Sequence, residues 1–258
     1  MAFGEIEEEE EETTTQLTDG EELGKPSQVT RVRSGVPGLD DLLQGGIPRN
    51  NLVLITGSCG NGKSTIGMQF LCHGAQYEEE PGIYLTLEEP PKQIIENACH
   101  FGWDVRGLIK DKKLNVVEPE LYKWESLVTT IEDSVMEIGA KRLVLDSATI
   151  LGMYFNDQYK IRRSFMDLSR ILRRVNCTTF MISEREEGAN KYSVYGVEEF
   201  VVDGVIVLYF IKEKNMFMRA LAVRKMRSTN HSTKIYPFKI AAPGGIKVYP
   251  SAEIFGDV

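Results

Sequence analysis

One glycine-rich stretch has the residue types and the spacing that bind phosphate. Residues 57–65 read G-S-C-G-N-G-K-S-T, which fits the phosphate-loop pattern G-x-x-x-x-G-K-[ST]. Its glycines would let backbone N–H groups point at phosphate oxygens at the start of a helix, where negative charge is favoured. Lys63 would reach the β- and γ-phosphates, and the Ser64 hydroxyl would hold Mg²⁺. The predicted nucleotide-binding residues of this loop are Gly60, Asn61, Gly62, Lys63, Ser64 and Thr65.

Carboxylates at the ends of two other apolar segments could complete the chemistry of a nucleotide site. Asp146 ends the segment 141–145, and it is predicted as a second Mg²⁺ ligand beside Ser64, with a helix cap as the alternative. Hydrolysis also needs a group that orients or deprotonates the attacking water. Glu88 and Glu89 end the segment 83–87, which we expect to neighbour the phosphate-loop strand. For this pair, a place in the first turn of the next helix stays open.

Apolar strands that alternate with helical periods must position these groups. Strands are predicted at residues 51–56, 83–87, 114–117, 141–147 and 177–183, and antiparallel strands at 204–210, at 217–224 and around Phe238 and Val248. The helix after the phosphate loop is expected to end near Gly74. Further helices are predicted from Leu39 to Leu43, around Ile94, from Leu127 to Ile138 and from Ile161 to Val175. This order indicates an α/β fold with a mainly parallel sheet, flanking helices and an antiparallel edge of hairpins.

The helix that follows Asp146 has one apolar stripe and one basic face. Arg163, Arg170 and Arg174 lie about opposite the stripe by the 3.6-residue period. A solvated face is the simpler interpretation, and a surface for DNA or an acidic partner is the alternative.

Composition limits the remaining classes of function. Residues 1–27 contain ten acidic residues and one lysine, within a formal net charge of −8 for the whole chain. We therefore predict a disordered acidic tail over residues 1–27, followed by a nearly neutral ATPase domain over residues 28–258. The four cysteines follow no metal-ligand spacing and are expected to be reduced and mostly buried. An acidic N-terminus and the lack of a long apolar stretch predict a cytoplasmic protein that does not span a membrane.

Several motifs together resemble the KaiC family of the RecA superfamily over residues 29–250, and the chain is similar to a single KaiC domain of the archaeal type. The matching motifs are the phosphate loop, T-L-E-E-P-P at 86–91, F-G-W-D at 101–104, V-L-D-S at 144–147, Y-G-V-E-E-F-V-V-D-G-V at 195–205, K-M-R-S-T-N-H at 225–231 and Y-P-F at 236–238. The resemblance implies a RecA-like core and a homo-oligomeric, hexameric ring that binds ATP and Mg²⁺ between subunits.

The resemblance also implies roles for particular residues. Glu88 falls on the family's general base, with Glu89 beside it. The segment that reaches the nucleotide of the neighbouring subunit corresponds here to Lys225, Met226, Arg227, Thr229 and His231. His100 and Phe101 fall where family members hold the adenine. Independently, Lys225 and Arg227 are two residues apart, so that on a strand they face the same way.

Four functions stay open at this point. The first is a Mg²⁺-dependent ring ATPase that couples the nucleotide state to a protein partner in signalling. The others are a DNA-repair accessory ATPase of the RecA/RadA-paralogue kind, a kinase acting on itself or on a partner, and a nucleotide switch with negligible turnover. Between Glu184 and Asp203, Ser193 offers the only aliphatic hydroxyl, which favours a hydrolysing domain over a phosphorylating one. Glu88 together with Asp146 argues against a switch that does not hydrolyse.

Overall fold

A computed structural model describes residues 29–119, 124–154, 157–186, 191–213 and 215–252. The predicted acidic tail over residues 1–27 lies outside these ranges. The helices are α1 (Leu39–Leu42), α2 (Lys63–Tyr77), α3 (Pro91–His100), α4 (Val105–Lys110), α5 (Trp124–Ile138), α6 (Gln158–Arg174) and α7 (Glu198–Val201), with a 3₁₀ segment at Ala148–Tyr154. The strands are β1 (Arg31–Val32), β2 (Ile47–Pro48), β3 (Leu52–Gly57), β4 (Gly82–Thr86), β5 (Leu114–Val117), β6 (Arg142–Asp146), β7 (Thr178–Glu184), β8 (Gly204–Glu213), β9 (Met216–Met226), β10 (Ile235–Ala241) and β11 (Gly245–Val248).

Within the described residues, nine of these strands form one sheet in the order β11-β10-β9-β8-β3-β7-β6-β4-β5. The six strands from β8 to β5 run parallel, and β9, β10 and β11 add antiparallel pairs beyond β8. The strands β1 and β2 form a separate antiparallel pair. The predicted α/β class, with a mainly parallel sheet and antiparallel strands toward the C-terminus, is confirmed.

One expectation about strand neighbours is wrong. The strand β4, which precedes Glu88 and Glu89, does not lie beside the phosphate-loop strand β3, because β7 and β6 lie between them. The chain leaves β3 through α2 and skips two positions before it returns as β4, and later segments fill the gap. A strand's own sequence sets its length and its buried faces, but it does not determine its lateral neighbours.

The two faces of the sheet carry separate apolar cores. Along β3 the side chains alternate between them, with Val53 and Ile55 in the core that packs against α2 and with Leu52 and Leu54 in the core that packs against α5 and α6. All four of these side chains are fully or almost fully buried. Both faces of the sheet are therefore packed against other elements. Below, 'carboxyl edge' and 'amino edge' denote the two sides of the sheet where the parallel strands end and begin.

The helix α2 runs on to Tyr77, three residues beyond its expected end at Gly74. Gly74 does not stop the helix; it leaves room for the buried side chain of Arg142. A Cβ atom added at Gly74 would lie 2.3 Å from Arg142 Nε, and that nitrogen donates a hydrogen bond to Glu80 at 2.8 Å. This glycine therefore permits a close approach inside a helix, where it resembles a stop signal in the sequence.

Two short helices were not predicted from the sequence. The helix α4 begins after Asp104, whose side chain accepts a hydrogen bond from Gly107 N at 3.0 Å, as an N-cap residue does. The helix α7 has only four residues, too few for a helical period to show. In the part of the chain that the structure describes, no helix is long and apolar enough to cross a membrane.

Candidate functional site

The phosphate loop joins the carboxyl end of β3 to α2 and turns through two left-handed glycines. Gly60 and Gly62 have φ angles of 77° and 89°, a region that glycine reaches at little cost. A Cβ atom on Gly62 would lie 2.6 Å from Ile240 Cδ1, so the loop also packs closely against β10. Lys63 Nζ donates a hydrogen bond to Ser58 O at 3.0 Å. The lysine is thus folded back over a loop whose backbone forms a cradle for phosphate.

The side chain of Asn61 fixes this loop to the neighbouring strand β8. Its side-chain amide Nδ2 donates to Ser58 Oγ at 3.0 Å and to Leu208 O of β8 at 3.2 Å, and the residue is fully buried. The side chain of Asn61, a predicted nucleotide-binding residue, thus ties the loop to the neighbouring strand.

A cavity of about 470 Å³ opens beside the loop and collects the predicted acidic groups. Its lining includes Lys63, Ser64, Glu88, Glu89 and Asp146. The glutamates still reach this cavity because β4 pairs with β6, the strand that ends at Asp146. The pairing continues one residue beyond β4, where Leu87 N donates a hydrogen bond to Asp146 O at 2.7 Å. The structure therefore brings the phosphate loop, the Mg²⁺ candidates and the general-base candidates into one cavity.

Asp146 is the most buried acid of this cavity. Its carboxylate accepts a hydrogen bond from the hydroxyl of Tyr84. Burial raises the pKa of Asp146, and the nearby hydroxyls of Ser64 and Tyr84 oppose that rise. Burial likewise lowers the pKa of Lys63, while the nearby carboxylates of Glu184 and Asp146 work against it. Ser64 and Asp146, the two predicted Mg²⁺ ligands, thus line the same cavity.

Glu88 lies on the open side of the cavity. Its carboxylate accepts a hydrogen bond from Ser147 Oγ, and its side chain is exposed. The helix α3 begins only at Pro91, with Pro90 as its N-cap and with no acidic residue in its first turn. The alternative role of Glu88 and Glu89 in a first helical turn is therefore wrong. An exposed carboxylate beside a phosphate cradle can accept a proton from water.

Three residues of this site were not assigned a role from the sequence. Tyr84 and Ser147 contact the two carboxylates directly. Glu184 ends β7, pairs in register with Gly57 and lines the same cavity. An acid that ends an apolar strand was the signal used for Asp146, and the same signal would have identified Glu184.

The adenine candidates are divided between two cavities. Phe101 lines the large cavity together with Ile240, and both Phe101 and His100 line a smaller adjoining cavity of about 310 Å³. Phe101 stacks on Trp103 with ring centroids 5.1 Å apart. The region thus offers flat apolar surface beside the phosphate loop.

Lys225 and Arg227, the site candidates near the C-terminus, lie at the amino edge of the sheet, opposite the phosphate loop. Arg227 N donates to Asp203 O at 2.9 Å, and Asp203 N donates to Leu52 O at 2.8 Å. Arg227 is therefore level with the first residue of β3, while the phosphate loop leaves from Gly57, the last residue of that strand. Five residues of strand separate the two levels, which is about 17 Å at roughly 3.3 Å per residue. The structure does not bring Arg227 to the phosphate loop of its own chain.

The cations at this edge are held by main-chain and carboxylate oxygens. Lys225 Nζ donates to Val202 O at 2.6 Å and to Glu199 O at 3.1 Å, and burial lowers its pKa. Arg227 Nη1 lies 3.0 Å from Asp203 Oδ1, and its side chain is 56% exposed. Met226, between them, is buried in the core. Lys225 and Arg227 thus form one fixed group that is partly open to solvent.

Thr229 and His231 continue this edge. Thr229 Oγ1 accepts a hydrogen bond from Arg31 Nη1 at 2.9 Å, and His231 Nδ1 lies 2.9 Å from Ser232 O. Both residues are partly buried. They therefore stay with Lys225 and Arg227 and away from their own phosphate loop.

The three arginines that the sequence places on the basic face of α6 are solvent-exposed, and each lies close to an acid. Arg170 lies 2.8 Å from Asp167, Arg163 lies 4.0 Å from the same residue, and Arg174 contacts Glu132. The solvated face that the sequence predicts here is thus balanced by carboxylates. This pairing offsets positive charge on the face and favours the solvated-face interpretation over a DNA-binding surface.

A parallel sheet with a phosphate loop at its carboxyl edge, and with a strand-end acid and a second carboxylate in the same cavity, defines a RecA-like P-loop protein of the ATP-binding class. A family model described as "ATPase: KaiC" matches residues 32–253. The chain belongs to this KaiC family, as its motifs predict.

The chain is similar to proteins of two different lengths. A UPF0273 protein of Pyrococcus furiosus is 38% identical over 239 residues, which cover 86% of this chain and 95% of that protein. The circadian clock oscillator protein KaiC of Acaryochloris marina is 34% identical over 233 residues, 86% of this chain but 44% of the clock protein. The chain thus spans about half the length of its clock relatives. The crystal structure of a KaiC-like protein from the archaeon Pyrococcus horikoshii superposes with a TM-score of 0.80 at 39% identity, covering 86% of this chain and 100% of that one.

Proposed function

We propose that this protein is a Mg²⁺-dependent ATPase of the cytosol that assembles as a homo-oligomeric ring, hexameric by family likeness, and couples its nucleotide state to a protein partner. Residues 28–258 would form one ATPase domain. The main observation behind this proposal is that two groups of candidate site residues lie at opposite edges of the sheet in one chain. The phosphate loop and the carboxylates lie at the carboxyl edge of the sheet, whereas Lys225 and Arg227 lie at the amino edge.

The residues at the carboxyl edge fit a nucleoside triphosphate with Mg²⁺. Among the described residues, no cluster of three or more His, Cys, Asp or Glu side chains could hold a metal by itself. Mg²⁺ typically keeps several waters and uses one or two protein oxygens together with substrate phosphates. The Ser64 hydroxyl and the Asp146 carboxylate offer such a pair beside the cradle. When bound, the ion would neutralise charge on the β- and γ-phosphates.

Glu88 is suited to the role of general base. It lies in the same cavity as the phosphate loop and is open to water. The hydrogen bond from Ser147 orients its carboxylate, and Glu89 lies beside it in the cavity. Lys63 would bind the terminal phosphates of the same nucleotide.

Charge that develops on the transferred phosphoryl group calls for a further cation. Lys225 and Arg227 cannot reach their own phosphate loop, but both are held at a sheet edge where a second copy of the chain can meet them. A ring in which the amino edge of one subunit faces the carboxyl edge of the next would complete every site. Asp203 would keep Arg227 aligned for that contact.

Autophosphorylation has less support. Ser193 is 2% exposed, and its hydroxyl oxygen lies within hydrogen-bond distance of the carboxylates of both Glu198 and Glu199. A buried hydroxyl whose one hydrogen is already engaged by carboxylates is a poor phosphoryl acceptor. Hydrolysis is therefore the favoured reaction.

Mixing two inactive variants tests the division of the site between chains. An Arg227→Ala subunit keeps its phosphate loop, and a Lys63→Ala subunit keeps its cations. We expect each alone to be nearly inactive, and the mixture to regain ATPase activity wherever an intact loop meets an intact Arg227. The measurement is the ATPase rate after subunit exchange, with sizing to verify mixed rings. Rates that only add in mixed rings would place Arg227 in a purely structural role.

Cys59 gives a direct test of nucleotide binding that does not depend on turnover. It is the exposed thiol of the phosphate loop, while burial raises the pKa of Cys72 and of Cys177 to about 12 and keeps both unreactive. We expect Mg-ATP to slow alkylation of Cys59 severalfold, because the bound phosphates cover the loop. A Cys59→Ser protein measures the background from the half-buried Cys99. Equal labelling rates with and without Mg-ATP would show that nucleotide does not occupy this loop.

A further inference from the structure

One short segment contacts both edges of the sheet, although the proposed site uses none of its side chains except Asp203. This segment, residues 198–203, comprises α7 and the two residues after it, and we refer to it as the α7 link. It lies within the motif Y-G-V-E-E-F-V-V-D-G-V at residues 195–205. Its first residue, Glu198, has a fully buried side chain, which is rare for glutamate and needs hydrogen-bond partners.

At its start, the α7 link is tied to the strand that borders the phosphate loop. Ser183 Oγ donates to Glu198 Oε1 at 3.2 Å, and Ser193 Oγ and Val197 N donate to Oε2 at 2.6 and 3.1 Å. Ser183 is the residue before Glu184, which pairs with Gly57 and lines the nucleotide cavity. Glu198 is therefore tied to the carboxyl end of β7.

At its end, the α7 link holds the cations of the amino edge. Lys225 Nζ bonds to the carbonyl oxygens of Glu199 and Val202, and among the described residues no carboxylate lies within salt-bridge distance of that nitrogen. Arg227 bonds to Asp203, whose carboxylate also binds Arg173 at 3.0 Å. The position of Lys225 is thus set by main-chain oxygens of the link, and that of Arg227 by its last side chain.

We propose that Glu198 is a positioning residue, which fixes the cations that a subunit presents to its neighbour relative to that subunit's own phosphate-loop edge. This inference rests on the proposed function, because Lys225 and Arg227 must serve the neighbouring site. The buried carboxylate anchors one end of the link, and four residues later the Val202 carbonyl holds Lys225. A displacement of about 1 Å at a charge-stabilising group can cost on the order of 100-fold in rate. Releasing the anchor should therefore slow the neighbour's turnover.

The test places Glu198→Gln in one of the two mixing partners at a time. Glutamine has one acceptor oxygen and an amide that only donates, so it cannot accept from all three donors. In the Lys63→Ala partner, Glu198→Gln alters a chain whose only contribution to restored activity is its cations. We expect the restored kcat to fall at least tenfold, while the KM for ATP stays within about twofold, because the Arg227→Ala partner supplies the intact loop. In the Arg227→Ala partner, the same substitution should have a smaller effect on kcat.

Two further variants separate positioning from general destabilisation. Glu137→Gln makes the same chemical change at an exposed position of α5, and in the Lys63→Ala partner it should leave the restored rate unchanged. Ser183→Ala removes the contact between β7 and the Glu198 carboxylate, together with longer contacts of 3.4 Å to Thr149 Oγ1 and Glu184 O. It should lower the rate in the same direction as Glu198→Gln. If Glu198→Gln subunits fail to enter rings, Ser183→Ala decides the question.

The outcomes separate a failure of the positioning role of Glu198 from a failure of the proposed function. If the parent pair complements and neither Glu198→Gln nor Ser183→Ala in the Lys63→Ala partner lowers the rate, the positioning role is wrong and the proposed function stands. A larger loss when the substitution is in the Arg227→Ala partner would also overturn it, since Glu198 would then act on its own loop. If the parent pair fails to complement in verified mixed rings, both proposals fail.

Discussion

Replacing Glu88 by glutamine should lower ATP turnover by about 100-fold or more, the usual scale for the loss of a general base, while leaving ATP binding nearly intact. The amide keeps the shape of the side chain and can still accept the hydrogen bond from Ser147, but it cannot take a proton from water. The phosphate cradle and the Ser64–Asp146 pair are untouched. Single-turnover hydrolysis and equilibrium nucleotide binding, measured on the same preparation, would separate the two effects.

Glu89→Gln is the matched control for this prediction. Glu89 lines the same cavity and undergoes the same chemical change, but it is the Glu88 carboxylate that Ser147 orients. We expect the larger loss of turnover at Glu88. Turnover by Glu88→Gln at the rate of the unaltered protein would mean that the base is another carboxylate, and Glu184 would be the next candidate in this cavity.

Arg227→Ala should lower turnover by about 1,000-fold in assembled rings, at the lower end of the range for a phosphoryl-transfer arginine supplied by a neighbour. Its own phosphate loop lies about 17 Å away along β3, so ATP binding by isolated chains should not change. Arg227→Lys should recover only part of the rate, because a point charge cannot reproduce the fork of the guanidinium. The assay is the rate per subunit at concentrations where sizing shows complete assemblies.

The control for Arg227 is Arg170→Ala, which removes an exposed arginine of α6 that pairs with Asp167. It should leave the rate within about twofold. If Arg227→Ala kept more than a tenth of the original rate while assembled, charge stabilisation by a neighbouring subunit would not be its role.

Much of the site follows from local sequence because its residues sit at strand ends. An apolar run that stops at an acid places that acid at a sheet edge, and this reasoning correctly put Asp146 beside the phosphate loop. The same pattern at Glu184 was left unused. The order of strands was not predictable, because what separates β3 from β4 is chain that comes later in the sequence. The end of α2 was mispredicted at Gly74 for a related reason, since the Arg142 side chain that needs the space beside this glycine is far away along the chain.

Because each proposed site is divided between opposite edges of the sheet, the number of complete sites depends on whether the assembly is open or closed. If a complete site forms only where two copies meet, an open string of copies has one site fewer than it has chains, whereas a closed ring has as many sites as chains. A chain that lacks its phosphate loop removes one site, and a chain that lacks both the loop and the arginine removes the sites on either side of it. In mixed rings, a variant that lacks both the loop and the arginine would thus abolish twice as many sites per chain as a variant that lacks the loop alone.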